Sequence, residues 1–216
     1  MISYTITSHN ETWELDKLLK FLSNFKDPDD DEIVILDDFS YDSHVEMIQG
    51  HVDSGLVNTF EQRALNKDFA SQKNYLNSIC KKPYIFNLDA DEIPNEELLI
   101  NIKAILMNNE NVELFWIPRV NTVDGMTEDD AKNFRWRVDE RGWINWPDPQ
   151  ARIYKNIETI QWVRPVHELV VGAKTSTNLP WDEMFALYHH KTIDKQKTQN
   201  NFYEEVIENV RMATKT

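Results

Sequence analysis

Two apolar runs constrain the fold more than any other feature: Ile33-Val34-Ile35-Leu36, which stops at Asp37-Asp38, and Tyr84-Ile85-Phe86-Asn87-Leu88, which stops at Asp89-Ala90-Asp91-Glu92. A strand that is apolar on both faces has to be covered on both faces, the situation of a central strand in a parallel sheet flanked by helices. The surrounding sequence supplies the cover. Ile2, Tyr4 and Ile6 alternate with polar residues and predict a first strand that ends at Ser8-His9-Asn10. Trp13, Leu15, Leu18, Leu19, Leu22 and Phe25 recur at helical spacing, with Asn10 or Thr12 placed to cap that helix. Further helices are expected over residues 43–50, 69–80 and 95–107, and a short strand over 56–60. This alternation predicts an α/β fold, a Rossmann-like, doubly wound and mostly parallel sheet with helices on both faces.

The second half changes character. Residues 112–120, 150–154, 159–162 and 167–171 read as strands with no helices between them, which makes this half a mixed sheet. Five of the seven tryptophans lie between Trp116 and Trp162, interleaved with Arg119, Arg135, Arg137, Arg141 and Arg152. Rings and guanidinium groups so mixed suit a polyhydroxylated ligand, although Trp residues also simply fill the core of a sheet. A polar helix over 194–213, with a thin stripe of Phe202, Val206 and Val210, closes the chain. At 216 residues a single domain is expected, with a ligand-binding half over 1–95, a second half over 96–192 and a C-terminal helix over 193–216. There is no internal repeat, low-complexity tract or linker.

Charge narrows the partners. With 37 acidic and 23 basic residues the formal net charge is −14, a field that repels nucleic acid and anionic lipid, so no nucleic-acid partner is expected. An anionic small molecule would need a bridging cation or a local group of Lys and Arg. The single cysteine, Cys80, reads as a core residue closing a helix and fits a reducing compartment. No window approaches the roughly 18 to 20 unbroken apolar residues that span a bilayer, and the first residues lack the order of a signal peptide. A cytoplasmic protein is expected, peripheral to the inner membrane at most through its acceptor or partner.

The acids at the strand ends are the candidate chemistry. Residues two apart in extended backbone face the same way, so Asp89 and Asp91 present two carboxylates at the C-terminal end of a strand, where ligands bind in open α/β sheets. Two like charges so placed call for a cation between them, and a hard divalent ion with oxygen ligands answers that need; the alternative is a solvated loop. Asp37 and Asp38 end a strand along the same edge. They either accept hydrogen bonds from a nucleobase and a ribose or cap a turn leading into Ser40 and Ser43. Lys73, on a helix facing the strand ends, is a phosphate counter-charge or a solvated helix lysine. His167-Glu168-Leu169-Val170-Val171 lacks the second histidine of a zinc-protease helix.

Four motifs in order, Thr5-Ile6-Thr7-Ser8-His9-Asn10-Glu11, Val34 to Asp42, Phe69-Ala70-Ser71-Gln72-Lys73-Asn74-Tyr75 and Asn87 to Glu92, resemble the motif set of family 2 glycosyltransferases with the GT-A fold. The likeness is greatest to small bacterial and phage members related to lipopolysaccharide core glucosyltransferases and covers about residues 1–95. Pro147 to Tyr154 and Arg164 to Glu168 resemble later motifs of that subgroup more loosely. The resemblance implies that Thr7, Glu11 and Asp37 surround the donor base and ribose, that Lys73 meets the diphosphate, and that Asp91 ligates Mn²⁺ or Mg²⁺ with Asp89 on the ribose or the metal. It further implies that His189 or His190 completes the metal shell and that Lys191 touches the phosphates. Neighbours on a strand face opposite ways, so only one of the two histidines is expected to bind. Phe39 stands where the family usually has a small residue.

Inverting transfer also needs a base for the acceptor proton, and Glu168, in the motif placed near the acceptor, is the first candidate, with Asp148 in reserve. The expected activity is a metal-dependent, inverting transfer of a hexose from a UDP- or GDP-sugar to a hydroxyl of a glycan, lipid-linked or protein acceptor, in the synthesis of a cell-surface or lipopolysaccharide-type glycan. A second subunit, as in a homo-oligomer, or the glycan itself is expected to complete the acceptor side. A binding module for nucleotide sugars or carbohydrates without turnover is the first alternative. The second is a metal-dependent nucleotidyltransferase, which a glycine-rich phosphate loop would favour; with five glycines in the chain, no such loop is present.

Overall fold

In the computed structural model, which describes residues 1–213 and their side chains through residue 208, both apolar runs pair with the first strand. β1 (Ile2–Ser8) lies between β2 (Glu32–Asp37) and β4 (Tyr84–Asp89), all parallel, and β3 (Thr59–Gln62) extends the sheet beyond β2. The period of two is visible in the packing. Ile33 and Ile35 join Tyr4, Ile6, Phe86 and Leu88 against α1 (Thr12–Leu22), α2 (Asp42–Asp53) and α4 (Glu96–Asn108), whereas Val34 and Leu36 meet Leu76 of α3 (Phe69–Ser78). Every residue of β2 is buried, as a strand covered on both faces requires.

β8 (Gln150–Lys155) pairs antiparallel with β4, β6 (Leu114–Ile117) antiparallel with β8, and β11 (Ser176–Asn178) parallel with β6, giving the order β11-β6-β8-β4-β1-β2-β3. The strand expected over 112–120 is broken. Pro118, which has no N–H to give a ladder, separates β6 from β7 (Arg119–Asp124), and β7 belongs to a second sheet with β12 (Leu187–Thr192) and β5 (Glu92–Pro94) in the order β5-β12-β7. β9 (Gln161–Val163) and β10 (Leu169–Val171) form a separate antiparallel pair. A short helix, α5 (Glu128–Asn133), follows β7, and α6 (Ile193–Ala213) follows β12. Val206 of α6 is buried; Val210's side chain and residues 214–216 lie outside those described. Neither expected cap acts on α1: the Asn10 carboxamide accepts from Tyr41 N (2.8 Å), and the Thr12 hydroxyl is 3.0 Å from His44 Nδ1.

Register decides where a ligand can sit. Thr7 pairs with Asp89 and Ser8 with Asp37, so β1, β2 and β4 end together at one edge of the sheet. The chain winds from β1 out to β3 on one side and then crosses to β4 on the other, so β1 and β4 flank the point where strand order reverses and a crevice opens. Among the described residues no helix is long and apolar enough to cross a membrane.

Candidate active site

A cavity of about 860 Å³ opens at that edge. Thr7, Glu11, Asp38, Lys73, Asp89 and Asp91 reach its wall from the first half, and Asp148, Glu168, His189 and Lys191 from the second. Asp37 and His190 do not: the first departs from its expected place at the ligand, and the second leaves His189 as the inward one of the two histidines. Asp37 is fully buried behind the wall, accepting from Ser40 N (2.8 Å), the Ser40 hydroxyl, Gln62 Nε2 (3.0 Å) and the Ser8 hydroxyl (3.2 Å). Its oxygens are used to build the turn after β2, leaving Asp38 as the acid of the pair on the cavity. Phe39, next in that turn, has φ +48° and is largely exposed, a backbone state that glycine adopts without strain. His190 points outward from β12 to Thr122 Oγ1 (2.8 Å) and Asp124 (3.0 Å).

Asp89 is neutralised by the protein itself. The buried Arg152 of β8 pairs with it and with Glu92 (2.5 Å), Arg119 also meets Glu92 (2.9 Å), and Lys73 Nζ stands 3.7 Å from Asp89. Burial opposes ionisation of Asp89, but Arg152 and Lys73 outweigh it and hold the carboxyl well below the usual range. In this structure the Asp89 carboxylate on the cavity wall is paired with cations of the protein's own. Lys73, 4% exposed, donates to Glu168 Oε1 (2.7 Å) and lies 4.4 Å from the centre of the Trp162 ring, so it serves Asp89 and Glu168 before any phosphate.

Asp91 and His189 face one another across 3.5 Å. β12 brings them together: its residue His189 pairs with Glu92 of β5 on one side and Asn121 of β7 on the other. His189 and Lys191 are the inward residues of β12. The tautomer of His189 follows from a chain of obligatory roles. Asp148 can only accept, so the Asn121 amide donates to its Oδ2 (2.7 Å) and must turn its own oxygen to His189 Nδ1 (2.8 Å). Nδ1 therefore carries the proton, and Nε2 offers a lone pair toward the Asp91 carboxylate. Burial pushes the His189 pKa down, against the pull of Asp91, favouring the neutral ring. Burial likewise opposes the charge of Asp91, but His189, when its ring carries both protons, and the ammonium groups of Lys191 and Lys195 hold its carboxyl low.

A carboxylate and an imidazole nitrogen facing one another on the cavity wall are residue types that could hold a cation. Among the described residues no three His, Cys, Asp or Glu side chains are gathered to cage an ion. The pair fits an ion shared with a ligand's phosphates, the way a small octahedral cation is commonly held. Fixing the ring through Nδ1 is the usual outer support of a histidine ligand.

Asp148 is the other acid with a free face. Arg119 Nε (2.9 Å), Arg119 Nη2 (2.8 Å) and Asn121 Nδ2 (2.7 Å) all donate to Oδ2, and no described residue donates to Oδ1. Glu11 stands near Lys195 (3.8 Å), and burial, reinforced by Asp91 and opposed by Lys195, pushes its carboxyl up to about 7. Trp136 lines the cavity, whereas Trp143 and Trp162 are core residues. Sequence reasoning missed Asn121 and Lys195 as site residues, and read Arg119 and Arg152 only as part of the mixed aromatic and cationic stretch. Arg152 also stood inside a quoted motif, but nothing in the local pattern of Asn121 or Lys195 signals a role.

The fold is similar to that of S. aureus TarS 1–349, with a TM-score of 0.63 at 14% identity over 88% of this chain and 60% of that one. The same fragment in complex with UDP-GlcNAc gives 0.63 at 15% identity over 88% and 58%, and in complex with UDP 0.59 at 14% over 88% and 60%. The chain therefore spans less than two thirds of those proteins. No curated protein matches it. Residues 3–165 match the profile of Glycosyl transferase family 2, well over half of the sequence, and the chain belongs to that family.

Proposed function

We propose that the protein is an inverting glycosyltransferase that moves a sugar from a UDP- or GDP-sugar onto an acceptor hydroxyl of a glycan, lipid-linked or protein acceptor, in the making of a cell-surface glycan. The observation that carries this reading is the Asp91–His189 pair, two acceptor groups 3.5 Å apart on the wall of a cavity of about 860 Å³, a size that suits a nucleotide sugar. Asp91 and His189 would hold Mn²⁺ or Mg²⁺, which when bound would stabilise the charge of the departing diphosphate. Lys191, whose only hydrogen-bond partner among the described residues is the neutral Gln199 (2.6 Å), supplies a positive charge to the same phosphates. Thr7 and Asp38 line the donor's nucleoside end.

The acceptor oxygen attacks the anomeric carbon from the face opposite the diphosphate, and its proton has to leave during the attack. Asp148 is placed for that proton: Arg119 and Asn121 fix Oδ2, and Oδ1 is left to accept. Glu168, named first from sequence, is tied through Oε1 to Lys73 and is the weaker candidate. Trp136, on the second-half side of the cavity, offers a ring face to the acceptor sugar.

Turnover separates this reading from a binding module. Slow hydrolysis of UDP- or GDP-sugars in the presence of Mn²⁺ is expected and should vanish in Asp91→Ala. A melting-temperature panel of nucleotide sugars with and without Mn²⁺ identifies the donor, because a ligand bound only by the native state raises Tm. No stabilisation by any UDP- or GDP-sugar with the metal present overturns the proposal.

A further inference from the structure

Lys195, in the first turn of α6, sits among three carboxylates. Its Nζ is 3.1 Å from Asp91 Oδ2, 3.4 Å from Glu14 Oε1 and 3.8 Å from Glu11 Oε1. Asp91 thus has His189 beside one oxygen and this ammonium against the other. The rest of the first half of α6 belongs to the cavity wall. Gln196 and Gln199 line it, Phe202 and Tyr203 meet the ring of Phe69 edge-on, and Lys67 pairs with Glu205 (2.6 Å) on the outside. The helix is anchored, whereas the Lys195 side chain is 34% exposed and Asp91 only 9%. The lysine has a way out to solvent, and Glu14, 34% exposed, is a partner it can keep on leaving.

We propose that Lys195 is a tethered resident cation of the donor site: its ammonium holds Asp91 in the metal-free protein and has to be displaced before a divalent ion can use that carboxylate. This rests on the proposed role of Asp91 as metal ligand and goes beyond it by assigning a competitor within the chain. A buried carboxylate beside Glu11 needs a counter-charge at all times, and a lysine on a flexible stem provides one that can be exchanged. Two consequences follow. The free protein binds a divalent ion weakly, because the ion competes with an intramolecular partner. A diphosphate helps the ion in, since the displaced ammonium gains new anionic oxygens, so metal and nucleotide bind synergistically.

The test is Mn²⁺ binding by the whole chain, followed by electron paramagnetic resonance and calorimetry, with and without UDP. Lys195→Met is expected to bind Mn²⁺ about ten-fold more tightly than the parent without nucleotide, equivalent to about 1.4 kcal/mol. The gain from added UDP should shrink, and Lys195→Arg should behave as the parent. Lys195→Gln repeats the measurement with a polar side chain should Lys195→Met not fold. Equal or weaker Mn²⁺ binding by the neutral variants, with binding lost in Asp91→Asn, overturns the role of Lys195 and leaves the metal site standing. Absence of Mn²⁺ binding by parent and variants alike, UDP included, overturns both.

Discussion

Replacing Arg152 with methionine tests whether the charges behind the cavity act as one unit. Arg152 is 3% exposed and donates to Asp89, to Glu92 Oε1 (2.5 Å) and to Asn87 Oδ1 (3.1 Å). The Glu92 side chain is fully buried, and without the guanidinium it retains Arg119 at 2.9 Å and the Asp89 backbone N–H at 3.2 Å, while Asp89 retains Lys73 at 3.7 Å. Removing one partner of a buried pair costs about 3–5 kcal/mol. Asp89 is about a third open to the cavity and Arg119 remains, so the lower end, about 3 kcal/mol, is expected. At about 2–4 °C per kcal/mol for a domain of this size, Tm should fall by about 6–12 °C.

The pH dependence has a definite sign. In the parent the Asp89 carboxyl is held low, so its contribution is complete above the unfolded pKa of about 3.9 and is lost only as pH falls through the folded value. In the variant Asp89 keeps only Lys73 at 3.7 Å, so burial is less fully outweighed and its carboxyl moves up from the depressed value of the parent. The penalty is then full at pH 8 and shrinks as pH falls toward 4 and the acid takes up its proton. Urea unfolding followed by circular dichroism at pH 8, 6 and 4 measures both. A deficit below about 1 kcal/mol at pH 8, or one that does not change with pH, would refute the reasoning.

Three further outcomes are expected. Asn121→Leu can neither donate to Asp148 nor accept from His189 Nδ1, so the His189 ring loses its orientation and Mn²⁺-dependent donor hydrolysis should fall about 10–100-fold; parent-like activity argues against the tautomer assignment. Asp148→Asn should reduce transfer to acceptor by about 10²–10⁴-fold with donor affinity retained, and Glu168→Gln should do less; the reverse ranking in initial-rate assays returns the base to Glu168. Glu11, whose carboxyl burial and Asp91 raise to about 7, costs stability above that pH, progressively less as pH falls, and nothing below its unfolded pKa of about 4.3. Glu11→Gln should therefore unfold later than the parent at pH 8, by on the order of 1 kcal/mol after allowance for partial exposure, and alike at pH 4; equal Tm at both pH values would count against the shifted carboxyl.

Local pattern was enough for the parallel half. Ile33 to Leu36 could be recognised as a strand covered twice because burial on both faces leaves no alternation, and the acids that stop each strand marked the ligand edge. The inward turn of only one histidine was legible too, since a period of two is a property of the strand itself. The break at Pro118 and the short strands β5, β7 and β11 were not, because three to six residues carry too little periodicity and their pairing is with partners distant in the chain.

The division of labour between like residues was decided only in three dimensions. Asp37 and Asp38 are adjacent and chemically identical, yet one builds a turn and the other faces the cavity. Asp89 and Asp91 flank one alanine, yet Arg152 from β8 claims the first, while His189 and Lys195, roughly a hundred positions further on, stand against the second. Residue type and spacing determine which groups are available along a strand end. Which of them meets a counter-charge depends on side chains brought in by strand register and helix packing, and the energy of a charge is set by those neighbours.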